Sequence, residues 1–199
     1  MIGVTLTSPG FRKLAVEAQQ RFEEATGLPS ILVSVPSEKN YLAKLELHRF
    51  FKGQTVVYFD ADLWFLNKCD LSEFDDQKEF LGVRDPGIYD TSHFPYHDCQ
   101  TLGMDVEQYF NTGLFIWNDR HKHVFENAAA IFKKEQGRLK DFGEQSVINA
   151  AVQRHSKVRL ISNSFNYMPF AEEHRLSGMT VHKKPLTIHG AGYGPEIKF

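Results

Sequence analysis

Val56-Val57-Tyr58-Phe59 is a wholly apolar run of strand length that delivers two carboxylates, Asp60 and Asp62, to its carboxyl end, and two strand–helix units precede it. Ile2 to Thr7 reads as a first strand. Pro9-Gly10 punctuates it, and Phe11 to Ala25 carries apolar residues at helical spacing (Phe11, Leu14, Ala15, Ala18, Phe22) before Gly27 stops the helix. Ile31 to Val35, ended by Pro36, is a second strand, Tyr41 to Phe51 a second helix, and Thr55 to Asp60 a third strand. Such alternation predicts an α/β fold, a parallel sheet covered by helices, with ligands bound beyond the carboxyl ends of the strands. Asp60 and Asp62 fall at that edge. Further strands are predicted over Glu79 to Arg84, Thr112 to Trp117 and Leu186 to His189, and helices over Asp119 to Glu135 and Gly143 to Val152. From Asp85 to Gln108, Pro86-Gly87, Pro95 and weak periodicity predict a long irregular loop, a kind that is usually functional or mobile.

Composition narrows the class. The chain has 199 residues, 42% hydrophobic and 24% charged, the size of one domain (1–199) with a full core. A formal net charge of -2 without a long basic run argues against nucleic acid or an anionic membrane as the main partner. Cys69 and Cys99 form no Cys-x-x-Cys pair, so neither a disulfide framework nor a structural zinc site is indicated. Ile2-Gly3-Val4-Thr5-Leu6-Thr7 lacks the charged start of a signal peptide, and no run approaches the ~18 apolar residues of a membrane span. A cytoplasmic protein with no transmembrane segment is expected.

Side chains two apart in an extended segment project to the same side, so Asp60 and Asp62 can share one hard divalent cation, and Ala61 between them leaves room for a ligand. Oxygen ligation suits magnesium or manganese, which keep waters or phosphate oxygens in their other positions. A solvated turn or a helix cap would use the same two residues.

Several segments, in order, resemble glycosyltransferases of family 8. Val4-Thr5-Leu6-Thr7 resembles the family's first strand, Lys44-Leu45 its donor-binding lysine segment, and Phe59-Asp60-Ala61-Asp62 its Asp-x-Asp motif. Phe110-Asn111-Thr112-Gly113-Leu114-Phe115 is similar to its Phe-Asn-Ser/Ala-Gly strand, Gly143-Glu144-Gln145 to its Gly-Asp-Gln helix start, and His189-x-x-Gly192 to its C-terminal metal-histidine motif. The resemblance implies a single-domain GT-A fold, which is Rossmann-like with a mostly parallel central sheet flanked by helices. It also implies a UDP-sugar donor, UDP-glucose or UDP-galactose, with manganese or magnesium as cofactor. Transfer would retain configuration, and the acceptor would be a carbohydrate, glycolipid or protein.

The same resemblance implies site roles. Asp60, Asp62 and His189 would hold the metal; Leu6, Thr7, Ser8 and Phe11 would bind the base and ribose, with Phe11 as the stacking ring. Lys44, Ala61, Asn111, Thr112, Gly192 and Lys198 would complete the donor site. Asp141, Glu144 and Gln145 would lie at the reacting carbon. Read without the resemblance, Lys44 is a solvated helix position, Phe11 the first core residue of its helix, and Asp141, Glu144 and Gln145 acids and amides favoured near a helix start. The chain departs from the family in having Glu144 for Asp, and Pro195 where a lysine stands six residues after the histidine; Lys198 is the nearby candidate. The stretch Asp90 to Asp98 is a candidate acceptor loop or lid. Competing readings are a haloacid dehalogenase-like phosphatase with Asp60 as nucleophile, a sugar nucleotidyltransferase, and a non-catalytic sugar-binding module.

Overall fold

The computed structural model describes residues 1–36, 42–140, 144–169 and 184–190. Its strands are β1 (Ile2–Thr7), β2 (Ser30–Ser34), β3 (Val56–Phe59), β4 (Leu63–Phe65), β5 (Phe80–Arg84), β6 (Phe110–Trp117), β7 (Val158–Ile161) and β8 (Thr187–His189). The helices are α1 (Arg12–Thr26), α2 (Phe94–Leu102), α3 (Lys122–Glu135) and α4 (Gln145–His155). Six strands form one sheet in the order β2-β1-β3-β6-β5-β7, and β4 pairs with β8 in a separate ribbon.

The sheet is mostly parallel, as the alternation predicted, but β6 runs antiparallel to both of its neighbours, β3 and β5. The cause lies in the long segment after β5. It leaves and returns at the same sheet edge, where Arg84 stands opposite Phe110 and the Asp85 amide donates to the Tyr109 carbonyl at 3.4 Å. No crossover intervenes, so the chain must reverse. As a consequence the start of β6 lies at the edge where β3 and β5 end, which brings Asn111 and Thr112 toward Asp60.

Both faces of the sheet are apolar, the pattern of strands covered on two sides. On one face Val56, Tyr58, Phe80, Phe115 and Trp117 meet Val124, Phe125 and Ala128 of α3 and Val147, Ile148 and Ala151 of α4. On the other, Val57, Phe59, Leu81, Leu114 and Ile116 pack with Ala18 and Phe22 of α1 and with Phe65. Alternate residues of β3 and β6 thus enter opposite cores, as a period of two requires.

Two expectations change in detail. The helix predicted over Tyr41 to Phe51 is a 3₁₀ segment, Leu42–Arg49, with Tyr41 outside the described residues. The predicted irregular stretch contains α2: Pro95 lies in its first turn, where a missing amide costs nothing, so it starts this helix. Phe94 to Asp98, part of the candidate acceptor loop, is therefore helical. Among the described residues no helix is long and apolar enough to cross a membrane.

Candidate active site

β3 continues one step beyond its last residue, because the Asp60 amide donates to the Gly113 carbonyl of β6 at 2.8 Å. The chain then turns, with the Leu63 amide donating to the Asp60 carbonyl, and enters β4. β8 pairs with β4 so that His189 stands opposite Leu63, and the next amide, Gly190, donates to the Asp62 carbonyl at 2.9 Å. This ribbon brings a histidine from the far end of the sequence to the two carboxylates.

Ligand atoms of Asp60, Asp62 and His189 all lie within 4.8 Å of one another, the one such set among the described residues. His189 Nε2 is 3.4 Å from Asp62 Oδ1 and 3.8 Å from Asp60 Oδ2. Its ring is buried, and Nδ1 has no hydrogen-bond partner among the described residues, so the imidazole's polar contacts are with the carboxylates. Burial alone would lower the His189 pKa; hydrogen bonding and attraction to Asp62, then attraction to Asp60, raise it. A positive charge is favoured where a cation would sit. Two carboxylates and one imidazole, with a side open to solvent at the half-buried acids, fit a divalent metal ion. Glycine at 113 gives this set its room, because a Cβ there would clash with the edge of the His189 ring and lie 2.8 Å from Asn111 Oδ1.

Lys44 is buried, contrary to a solvated helix position. Its ammonium lies 2.6 Å from Glu144 Oε1 and 3.0 Å from Asp60 Oδ1, donates to the Thr112 carbonyl at 3.3 Å, and sits over the Tyr58 ring. Burial would lower its pKa, but the charges of Asp60 and Glu144 outweigh that and raise it, so the ammonium persists. Burial and Asp60 likewise push the Tyr58 phenol well up, and the protonated hydroxyl donates to Asp60 Oδ1 at 2.6 Å. Asp60, Asp62 and Glu144 together carry more negative charge than Lys44 cancels, a balance that one divalent cation redresses.

Glu144 and Gln145 stand at the start of α4, both buried. Glu144 accepts from the Thr112 hydroxyl at 2.9 Å, and Gln145 Oε1 accepts from the Thr112 amide at 3.1 Å. Gln145 Nε2 donates to Asp85 Oδ2 at 2.8 Å, and Asn111 Nδ2 donates to the same oxygen at 3.0 Å. Asp85, at the end of β5, is a member of this cluster that sequence reasoning missed. The signal was present: like Asp60, it is a carboxylate just past the end of a strand at the ligand edge, although here Arg84 separates it from the apolar run.

At the other side of the edge, Thr7 ends β1 and Ser8 follows it, both buried, while Leu6 points into the core with Val4. Phe11 is 48% exposed, so its ring is not a core residue and is open to stacking. Ala61 is half-buried between the two acids. Asp141, Gly192 and Lys198 lie outside the described residues.

No protein-family model matches the sequence, and a search of curated proteins finds no relative. Solved structures do match. The galactosyltransferase LgtC, in complex with donor and acceptor sugar analogues, aligns over 96% of this chain and 87% of its own, with a TM-score of 0.75 and 15% identity. The bifunctional glycosyltransferase WbbM aligns over 96% of this chain and 46% of its own, with a TM-score of 0.71 and 16% identity. For the glycosyltransferase GlyE of Streptococcus pneumoniae TIGR4 the shares are 94% and 53%, with a TM-score of 0.66 and 13% identity. The chain therefore has the GT-A glycosyltransferase fold, with its acidic cluster at the ligand edge of that fold.

Proposed function

We infer that the protein is a metal-dependent hexosyltransferase that moves glucose or galactose from a UDP-sugar to a carbohydrate, glycolipid or protein acceptor, with retention of configuration. The observation that carries this reading is the convergence of Asp60, Asp62 and His189 beside the buried Lys44–Glu144 pair. Asp60, Asp62 and His189 would hold manganese or magnesium, which as a Lewis acid stabilises the charge gathering on a diphosphate leaving group. Lys44 is a second positive charge beside that position. Thr7, Ser8 and the exposed Phe11 ring would receive the nucleoside, with Leu6 supporting the strand end. Gly192 and Lys198 would add an amide donor and a cation at the diphosphate.

Glu144, Asn111 and Thr112 would hold the donor hexose, with Asp141 near the reacting carbon. Gln145 would present its amide dipole to that carbon. An amide is a poor nucleophile, so front-face substitution fits better than a covalent intermediate. In that step the bond from the anomeric carbon to the phosphate oxygen breaks and a bond to the acceptor oxygen forms on the same face. The acceptor proton passes to the departing diphosphate.

Calorimetric titration of UDP, with GDP and dTDP as controls, tests the reading in manganese and then in chelator. Metal-dependent binding selective for UDP is expected. Absence of binding by every nucleotide would overturn it.

A further inference from the structure

Asp98 of α2 has no exposed surface, and the proposed reaction gives it no task. Among the described residues, three groups donate to it: the Lys140 amide to Oδ1 at 2.9 Å, His97 Nδ1 to Oδ1 at 2.9 Å, and the Ser146 hydroxyl to Oδ2 at 2.8 Å. A carboxylate has no proton to give, so each of these bonds has one direction. Ser146, having donated its single proton to Asp98, must accept at its 3.1 Å contact with the Tyr109 hydroxyl. Tyr109 in turn has spent its proton on Ser146, and so accepts from Gln145 Nε2 at 3.3 Å. Gln145 Nε2 also donates to Asp85, which leaves Oε1 turned to the Thr112 amide.

Resting on the reading of Gln145 as the group facing the donor sugar, we propose that Asp98 is a positioning residue: through Ser146 and Tyr109 it sets the direction of a buried hydrogen-bond chain that, with Asp85, fixes which end of the Gln145 carboxamide is oxygen. An amide presents two nearly isosteric ends of opposite polarity, and only its partners decide between them. Two carboxylates, Asp98 at one end and Asp85 at the other, both demand that the amide nitrogen face away from Thr112. Through Ser146, the residue after Gln145 in α4, Asp98 also anchors the helix that carries Gln145, and it holds the backbone amide of Lys140 as well. Buried chains of this kind polarise one bond by the next, which is why a remote acceptor can matter at the far end.

The test uses protein labelled with nitrogen-15 in glutamine side chains, the Gln145 signal being assigned by its loss in Gln145→Leu. Asp98→Asn keeps the shape of the side chain but supplies a donor toward Ser146, which reverses the chain. Ser146→Ala cuts it while leaving the Lys140 and His97 bonds to Asp98, so it serves if Asp98→Asn does not fold. In both, the Gln145 amide protons should shift and exchange faster, and kcat for UDP-sugar hydrolysis should fall roughly 10-fold or more. The donor KM should stay within about twofold, since the metal and nucleotide groups are untouched. An unmoved Gln145 signal in folded variants overturns the proposal whatever the activity. A moved signal with unchanged kcat overturns the positioning role. A moved signal in a protein whose wild type hydrolyses no UDP-sugar supports the chain and overturns the transferase reading alone.

Discussion

At one end of the sheet's ligand edge, Lys44 is clamped between Asp60 and Glu144 with full charges in contact. At the other, Gln145 is tied to Asp85, Tyr109 and Thr112 through a neutral amide. Both clusters are largely buried and both are built around α4 and the start of β6, yet they resist different insults. The charged end tolerates small changes of geometry, because Coulomb attraction falls slowly with distance, but not the loss of a partner. The amide end carries less energy and depends on direction, so a change of proton placement at constant shape is enough to disturb it.

Removing one charge should show the largest difference. In chelator, Lys44→Met leaves Glu144 buried beside Asp60 without its ammonium, and unfolding experiments should find a loss of about 3–5 kcal/mol. Tyr109→Phe at the amide end should cost only about 1–3 kcal/mol. The double variant Lys44→Met/Glu144→Gln should recover part of the first loss, because the unpaired charge is gone. Equal costs for the two single variants would mean that the ends do not differ in kind.

Next in size is the response to metal. Manganese should raise the melting temperature of the wild type by binding the folded state alone. Asp62→Asn should abolish that rise and lower manganese affinity at least about 100-fold, while the melting temperature in chelator stays close to the wild-type value. Asp62 is half-buried at the edge rather than in the core, so the fold does not depend on it. A rise that survives in Asp62→Asn would remove the metal from the charged end.

How much of this could be read from the sequence follows from the same contrast. β3 and its two acids were legible because a strand buried on both faces must be wholly apolar, and the carboxylates ending it break that pattern abruptly. Lys44, Glu144 and Gln145 came from resemblance, since a buried lysine and a solvated one have the same local sequence. Tyr109, Ser146 and Asp98 were not legible. Their bonds join α2, the residue before β6 and α4, and nothing local marks a residue whose partner is more than 30 positions away. The helix carrying Asp98 is itself hidden, because a proline marks a helix start and a helix break alike, and Pro95 lies at the one part of a helix that favours it. The reversal of β6 was equally hidden, because hydrophobic alternation is the same in either direction along a strand.

Gly113 is where the two ends touch, and it should give the smallest effect. A Cβ at this position would come too close to both the His189 ring and Asn111 Oδ1, so Gly113→Ala must displace both, the ring further than the amide. Asn111 is held by three bonds: it donates to Asp85, and its Oδ1 accepts from the Gly113 amide and from Asn166. The His189 ring, which meets the Cβ most closely and whose Nδ1 has no partner among the described residues, is held mainly by its carboxylates and should move the further. Manganese affinity should then fall about 10-fold, read as a smaller metal-dependent rise in melting temperature. The Gln145 amide signal should stay in place. If instead that signal moves while manganese affinity holds, Asn111 has yielded, and the amide end is the softer of the two.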